Sequence, residues 1–144
     1  MQNTILVIGL MAAFLFFLVD NNMLPATLFA KKQILDRFES NKQMDKKLRG
    51  EFQEIVDLHQ AWSFIAFSNS DVTYGEYIDL LNQKAAMEYA DDELERLRSK
   101  RLNKRETADY LEKIKGQEDA IDALKADLMY QKQIFSHITL MAAS

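Results

Sequence analysis

The sequence predicts an all-α chain: an apolar N-terminal transmembrane helix, then an extramembrane antiparallel three-helix, coiled-coil-like bundle. Three observations predict it. Residues 5–19 read ILVIGLMAAFLFFLV, with no charge and no strong helix breaker. The 144 residues hold four glycines and one proline, so turn punctuation is scarce and helices should be few and long. Beyond Pro25, apolar residues recur at steps of three and four, the seam period of packed helices.

The first element is the anchor, placed in residues 1–25. Ile5, Leu6, Val7, Ile8, Leu10, Phe14, Leu15, Phe16, Phe17, Leu18 and Val19 would point apolar side chains in every direction. A helix apolar all round needs lipid or a tight protein core around it. Fifteen residues rise about 22 Å, short of a hydrocarbon core of about 30 Å, so Gln2, Asn3 and Thr4 would complete the span. No Lys or Arg precedes the run, and Asp20, Asn21 and Asn22 follow it where a cleavage site would need small residues. An uncleaved anchor is expected. Lys31, Lys32 and Arg37 follow the span, and basic flanks stay cytoplasmic, which orients the body inward.

Residues 26–144 form the bundle, with helices expected over about 26–67, 74–102 and 104–142. In the first, Leu48, Phe52, Ile55, His59, Trp62 and Ala66 make a seam, with Ser40-Asn41 and Gly50 the places for a bend. The cluster Ser68-Asn69-Ser70-Asp71 should end it. Thr73 and Glu76 form a T-x-x-E capping box for the second helix, whose middle, around Ala85, Ala86, Tyr89 and Ala90, is thin enough to let a neighbour approach. Asn103 with Glu106 caps the third, with Thr107 the alternative. Its seam runs through Leu111, Ile114, Ile121, Leu124, Leu128, Phe135 and Ile138. Gly116 interrupts it at a cost of about 1 kcal/mol relative to Ala.

Charge is unevenly spread around a net of −4. Lys42, Lys46, Lys47 and Arg49 form one basic stretch; Arg96, Arg98, Lys100, Arg101, Lys104 and Arg105 form another at the second corner. An up-down-up bundle brings that corner back toward the anchor, where both stretches would face anionic headgroups or a partner. The far end is apolar: its aromatics either fill the bundle's own core or present a protein interface, for which Phe64, Phe67, Tyr74, Phe135 and Met141 are the candidates, with Trp62 continuing the core seam.

Catalytic chemistry has no visible carrier. There is no cysteine, so thiolate catalysis, disulfides and Cys-based metal sites are excluded. Neither His59 nor His137 has a glutamate three residues before it, and no HExxH, GxGxxG or GxSxG occurs. Asp91, Asp92, Glu93 and Glu95 read as a solvated acidic face. No cofactor, metal, nucleic acid or small-molecule substrate is expected, and the chain is not expected to be an enzyme. The expected partners are membrane lipid and other membrane-protein subunits or copies of itself, with the chain a non-catalytic subunit or assembly factor of a membrane complex.

Over about the first 30 residues, the apolar helix with a proline near its end resembles type IV pilin-like subunits. The resemblance implies a filament subunit whose apolar helix packs in the filament core, beneath a head containing a sheet. The acidic residue those subunits carry early in the helix is absent here, and the body reads helical throughout.

Overall fold

In a computed structural model, residues 25–67 and 70–143 are described. The anchor residues 5–19 lie outside them. The helices are α1, Pro25–Leu58; α2, Tyr74–Glu88; α3, Asp91–Ser99; and α4, Lys104–Ala143. Among the described residues there is no strand, only an isolated antiparallel bridge between Ile65 and Thr73. None of these helices is long and apolar enough to cross a membrane.

Pro25 opens α1, where its missing N–H breaks no helical bond. The helix runs unbroken through Ser40, Asn41 and Gly50, against the expectation of a bend. It stops at Leu58, not at 67. Gln60 turns into the left-handed region (φ 49°), Gln60 N–H bonds Asp57 O at 3.1 Å, and Ala61 N–H bonds Val56 O at 3.0 Å. This pair of bonds is a Schellman stop. The second arm is likewise shorter than expected, and split. α2 closes at Tyr89, the backbone extends at Ala90 (ψ 139°), and α3 restarts with Asp91, Asp92 and Glu93 in its first turn, where acids favour the helix dipole. It ends at Ser99, leaving Leu102 buried in the connecting loop.

Both predicted caps are present. Thr73 Oγ1 accepts from Glu76 N–H at 3.2 Å, and Asn103 Oδ1 from Glu106 N–H at 2.8 Å. α1 and α4 run parallel, as the pairs Arg37–Glu118, Glu51–Lys132 and His59–Thr139 require. α2 and α3 run antiparallel to both, since Arg49 meets Asn82, Lys42 meets Asp91 and Tyr77 meets Asp127. The predicted up-down-up order holds, with the middle arm in two pieces. α4 packs directly on α1, whereas no Cα of α2 or α3 comes within 8 Å of one of α4.

The α4 seam is Ile114, Gln117, Ile121, Leu124, Leu128, Gln131 and Phe135, an unbroken alternation of three and four with two amides among the buried positions. The facing α1 stripe is Ile34, Phe38, Asn41, Leu48, Phe52 and Val56. The buried apolar residues form two clusters. One, around Phe38, Tyr89, Leu97 and Ile114, lies toward Pro25; the other, around Phe52, Val56, Ile78 and Phe135, lies toward Leu58. Polar residues separate them. Asn41 Nδ2 donates to Gln117 Oε1 at 3.2 Å, and Gln117 Nε2 to Glu88 Oε1 at 3.0 Å. Beside these, Arg49 bridges Asp45 at 2.6 Å and Asn82 at 2.7 Å.

Candidate functional site

The loop joining α1 to α2 carries several exposed apolar side chains. Its backbone is pinned: Ala66 N–H bonds Val72 O at 2.8 Å, Tyr74 N–H bonds Phe64 O at 2.9 Å, and Gly75 N–H bonds Trp62 O at 2.9 Å. Ala61 and Ala66 turn into the core. Phe64 is 58% and Ile65 56% exposed, and Leu58 and Ile138 stand exposed at the same end. These bonds hold Phe64 and Ile65 outward on a fixed stretch of backbone.

This placement corrects several expectations. Phe64 does face outward, but from a loop and not from a helix. Trp62 is not a core seam residue: it is 36% exposed, its ring packs on Gly75, and its indole N–H donates to Asp57. Phe67 is partly exposed and packs edge-on against Tyr77, centroids 5.1 Å apart. Tyr74 and Phe135, named as interface candidates, belong to the bundle's core instead. Both are buried, with ring centroids 5.3 Å apart. Steps of three and four on their own helices turn them inward. Met141 is exposed near the end of α4. Ile138, expected on the seam, is exposed because α1 has ended by that level.

His59 is half-buried against Phe135, centroids 4.6 Å apart. Its Nδ1 lies 2.9 Å from Ile55 O, and since a carbonyl only accepts, Nδ1 donates. Its Nε2 lies 3.0 Å from Thr139 Oγ1. Nδ1 fixes the ring against the end of α1, and Nε2 ties it to α4. No group of three or more His, Cys, Asp or Glu among the described residues is arranged to hold a metal.

The basic residues do not form one patch. Lys31 Nζ donates to the carbonyls of Arg98 and Lys100 at 2.7 and 2.8 Å, which fastens the α3–α4 corner to the start of α1. Arg98 pairs with Glu39 and Glu95, Lys100 with Glu106, and Arg96 lies 3.7 Å from Glu93. Lys42 and Arg49 sit farther along the bundle, paired with Asp91 and Asp45. Lys46, Lys47, Arg101, Lys104 and Arg105 are in no ion pair among the described residues. Arg101, Lys104 and Arg105 lie at the end where α1 begins, while Lys46 and Lys47 lie near its middle.

The polar seam residues Gln117 and Gln131 escaped the reading of apolar periodicity. The one signal for them was that the seam's period required a buried residue at each position. The chain matches no family model, no curated protein and no solved structure.

Proposed function

We propose that this chain is a non-catalytic, single-pass membrane subunit or assembly factor of a membrane protein complex. In this reading the bundle is a spacer that holds an apolar recognition loop away from the bilayer. One observation carries it: Trp62, Phe64 and Ile65 project from a pinned loop at the end of the bundle opposite Pro25. The 34 residues of α1 separate the two ends by about 50 Å. The uncharged residues 5–19 join the chain at the near end, where lipid would take them. Arg101, Lys104 and Arg105 at that end, in no ion pair among the described residues, suit an anionic headgroup layer, each contributing about 1 kcal/mol near the surface.

The test compares Phe64→Ser with deletion of residues 1–24. Phe64→Ser should leave the bundle's melting nearly unchanged and abolish copurification of the complex from detergent extracts. The deletion should release the chain from membranes. A deleted chain that still fractionates as an integral membrane protein removes the anchor from this reading. Detergent-resistant polymers in place of a discrete complex would favour a filament subunit.

A further inference from the structure

The far end of the bundle carries charge of one sign. From Gly50 to Gln83 the chain holds Glu51, Glu54, Asp57, Asp71, Glu76 and Asp79, and no Lys or Arg. α4 brings Lys132 alongside, where Glu51 holds it at 3.8 Å. Beyond that pair, toward the loop, α4 adds no Lys or Arg either. Glu54, Asp57, Asp71, Glu76 and Asp79 are exposed and in no ion pair among the described residues.

These acids accompany the exposed apolar side chains. Asp57 accepts from the indole N–H of Trp62. Ile65 pairs with Thr73, which follows Asp71 closely and caps the N–H of Glu76. Both chain segments that hold Phe64 and Ile65 outward therefore carry carboxylates. Leu58, 80% exposed, extends the apolar surface onto the bundle. It borders an open groove of about 610 Å³ between the end of α1 and α4, lined also by Ile55, Ser136 and Thr139. The cation in that groove is Lys132, the one that Glu51 holds. An acidic partner, or an anionic bilayer surface, would be repelled here, whereas a cationic one meets carboxylates with no cation of their own.

We infer that the distal loop docks a basic amphipathic segment of a partner protein. Its apolar side chains cover Phe64, Ile65 and Leu58, and its Lys or Arg side chains meet Glu54, Asp71 and Glu76. This deepens the recognition loop proposed above and rests on it. The apolar anchors carry most of the affinity, and the opposite charges speed encounter and exclude acidic partners.

Trp62 is the chain's single tryptophan, so its emission reports docking at the loop itself. The full chain in non-ionic detergent micelles is titrated with a synthetic helix of about twelve residues, leucine at steps of three and four and lysine elsewhere. The same helix with glutamate for lysine, and one with serine for leucine, are the controls. A saturable change in Trp62 emission, at least tenfold tighter for the Lys/Leu helix than for either control, is expected. It should weaken in about 1 M salt, where screening shortens to about 3 Å. Glu54→Gln combined with Asp71→Asn should weaken binding at least threefold, and Phe64→Ser at least fivefold, in chains that circular dichroism shows to be folded. Equal binding of the Lys/Leu and Glu/Leu helices overturns the basic partner while leaving an apolar recognition loop in place. No response to any helix overturns the inference, and so does binding that the folded charge variant leaves unchanged. Trp62 emission that shifts with protein concentration alone makes a second copy of the chain the occupant and overturns it too.

Discussion

The N–H of Ala61 bonds the carbonyl of Val56 at 3.0 Å, five residues back, and both side chains are fully buried. That contact stops α1 and turns the chain into the apolar loop. It places Gln60, at φ 49°, in a region where a side chain costs about 1–2 kcal/mol and glycine costs little. Gln60→Gly should therefore stabilise the bundle by about 0.5–1 kcal/mol, after the greater unfolded-state entropy of glycine is subtracted. Gln60→Val should destabilise it by more than that. Denaturant midpoints of the two variants check both signs.

The same stop marks the limit of what the sequence showed. Ile55, His59, Trp62 and Ala66 continue the seam at steps of four, three and four, so periodicity alone carries the helix to 67. No glycine at position 60 announces the end, and glutamine is an uncommon residue for a left-handed cap. By contrast, Thr73 and Asn103 were readable because a capping side chain and its acidic partner sit at a fixed spacing. The break at Tyr89–Ala90 had no such marker: Ala90 makes no side-chain cap. Phe64 was legible as outward-facing because the apolar content of residues 61–67 exceeds one stripe. Tyr89 was legible only as part of a thin helix face, since its burial depends on how α1 packs against it.

The glycines separate by what surrounds them. A Cβ on Gly75 would lie 3.1 Å from Trp62 Cε3 and 3.2 Å from Trp62 O. That carbonyl accepts the Gly75 N–H, so it cannot retreat without lengthening the bond. Gly75→Ala should cost about 1 kcal/mol through overpacking. Cβ atoms on Gly50 and Gly116 meet nothing within 4 Å, so Gly50→Ala and Gly116→Ala should each stabilise by about 0.5–1 kcal/mol. Thermal melts of the three single variants should show one loss and two gains.

Arg37 and Glu118 tie α1 to α4 by a two-pronged pair, with Arg37 Nε to Glu118 Oε2 at 3.1 Å. The hydrogen bond from Arg37 holds the Glu118 carboxyl below its ordinary 4.5, and the Arg37 charge adds to it against desolvation. A carboxylate lowered in the folded state contributes stability above its unfolded pKa, and loses it as pH falls through the folded one. Both side chains are more than a third exposed, so the contribution should stay below about 1 kcal/mol. Glu118→Gln should lower stability at pH 7, and its difference from the wild type should vanish in strong acid, below the lowered value. A difference that stays constant from neutral pH into that acid would exclude the pair as its cause.

Tyr74 and Gln131 make the sharpest test of the core's polar content. The Tyr74 hydroxyl donates to Gln131 Oε1 at 2.6 Å, while Gln131 Nε2 is buried without a partner among the described residues. Tyr74→Phe would leave both ends of the amide unbonded, at a cost of about 1–3 kcal/mol. Gln131→Leu removes the orphaned donor but strands the Tyr74 hydroxyl, so its cost should be smaller. In the double variant both groups are apolar and nearly isosteric, and nothing is left unsatisfied. It should be more stable than Tyr74→Phe alone and match or exceed the wild type, with a coupling of about 1 kcal/mol or more. Equilibrium unfolding of the four proteins in the cycle measures that coupling. Additive single-variant effects would mean that water reaches these groups and that the amide is not a buried member of the seam.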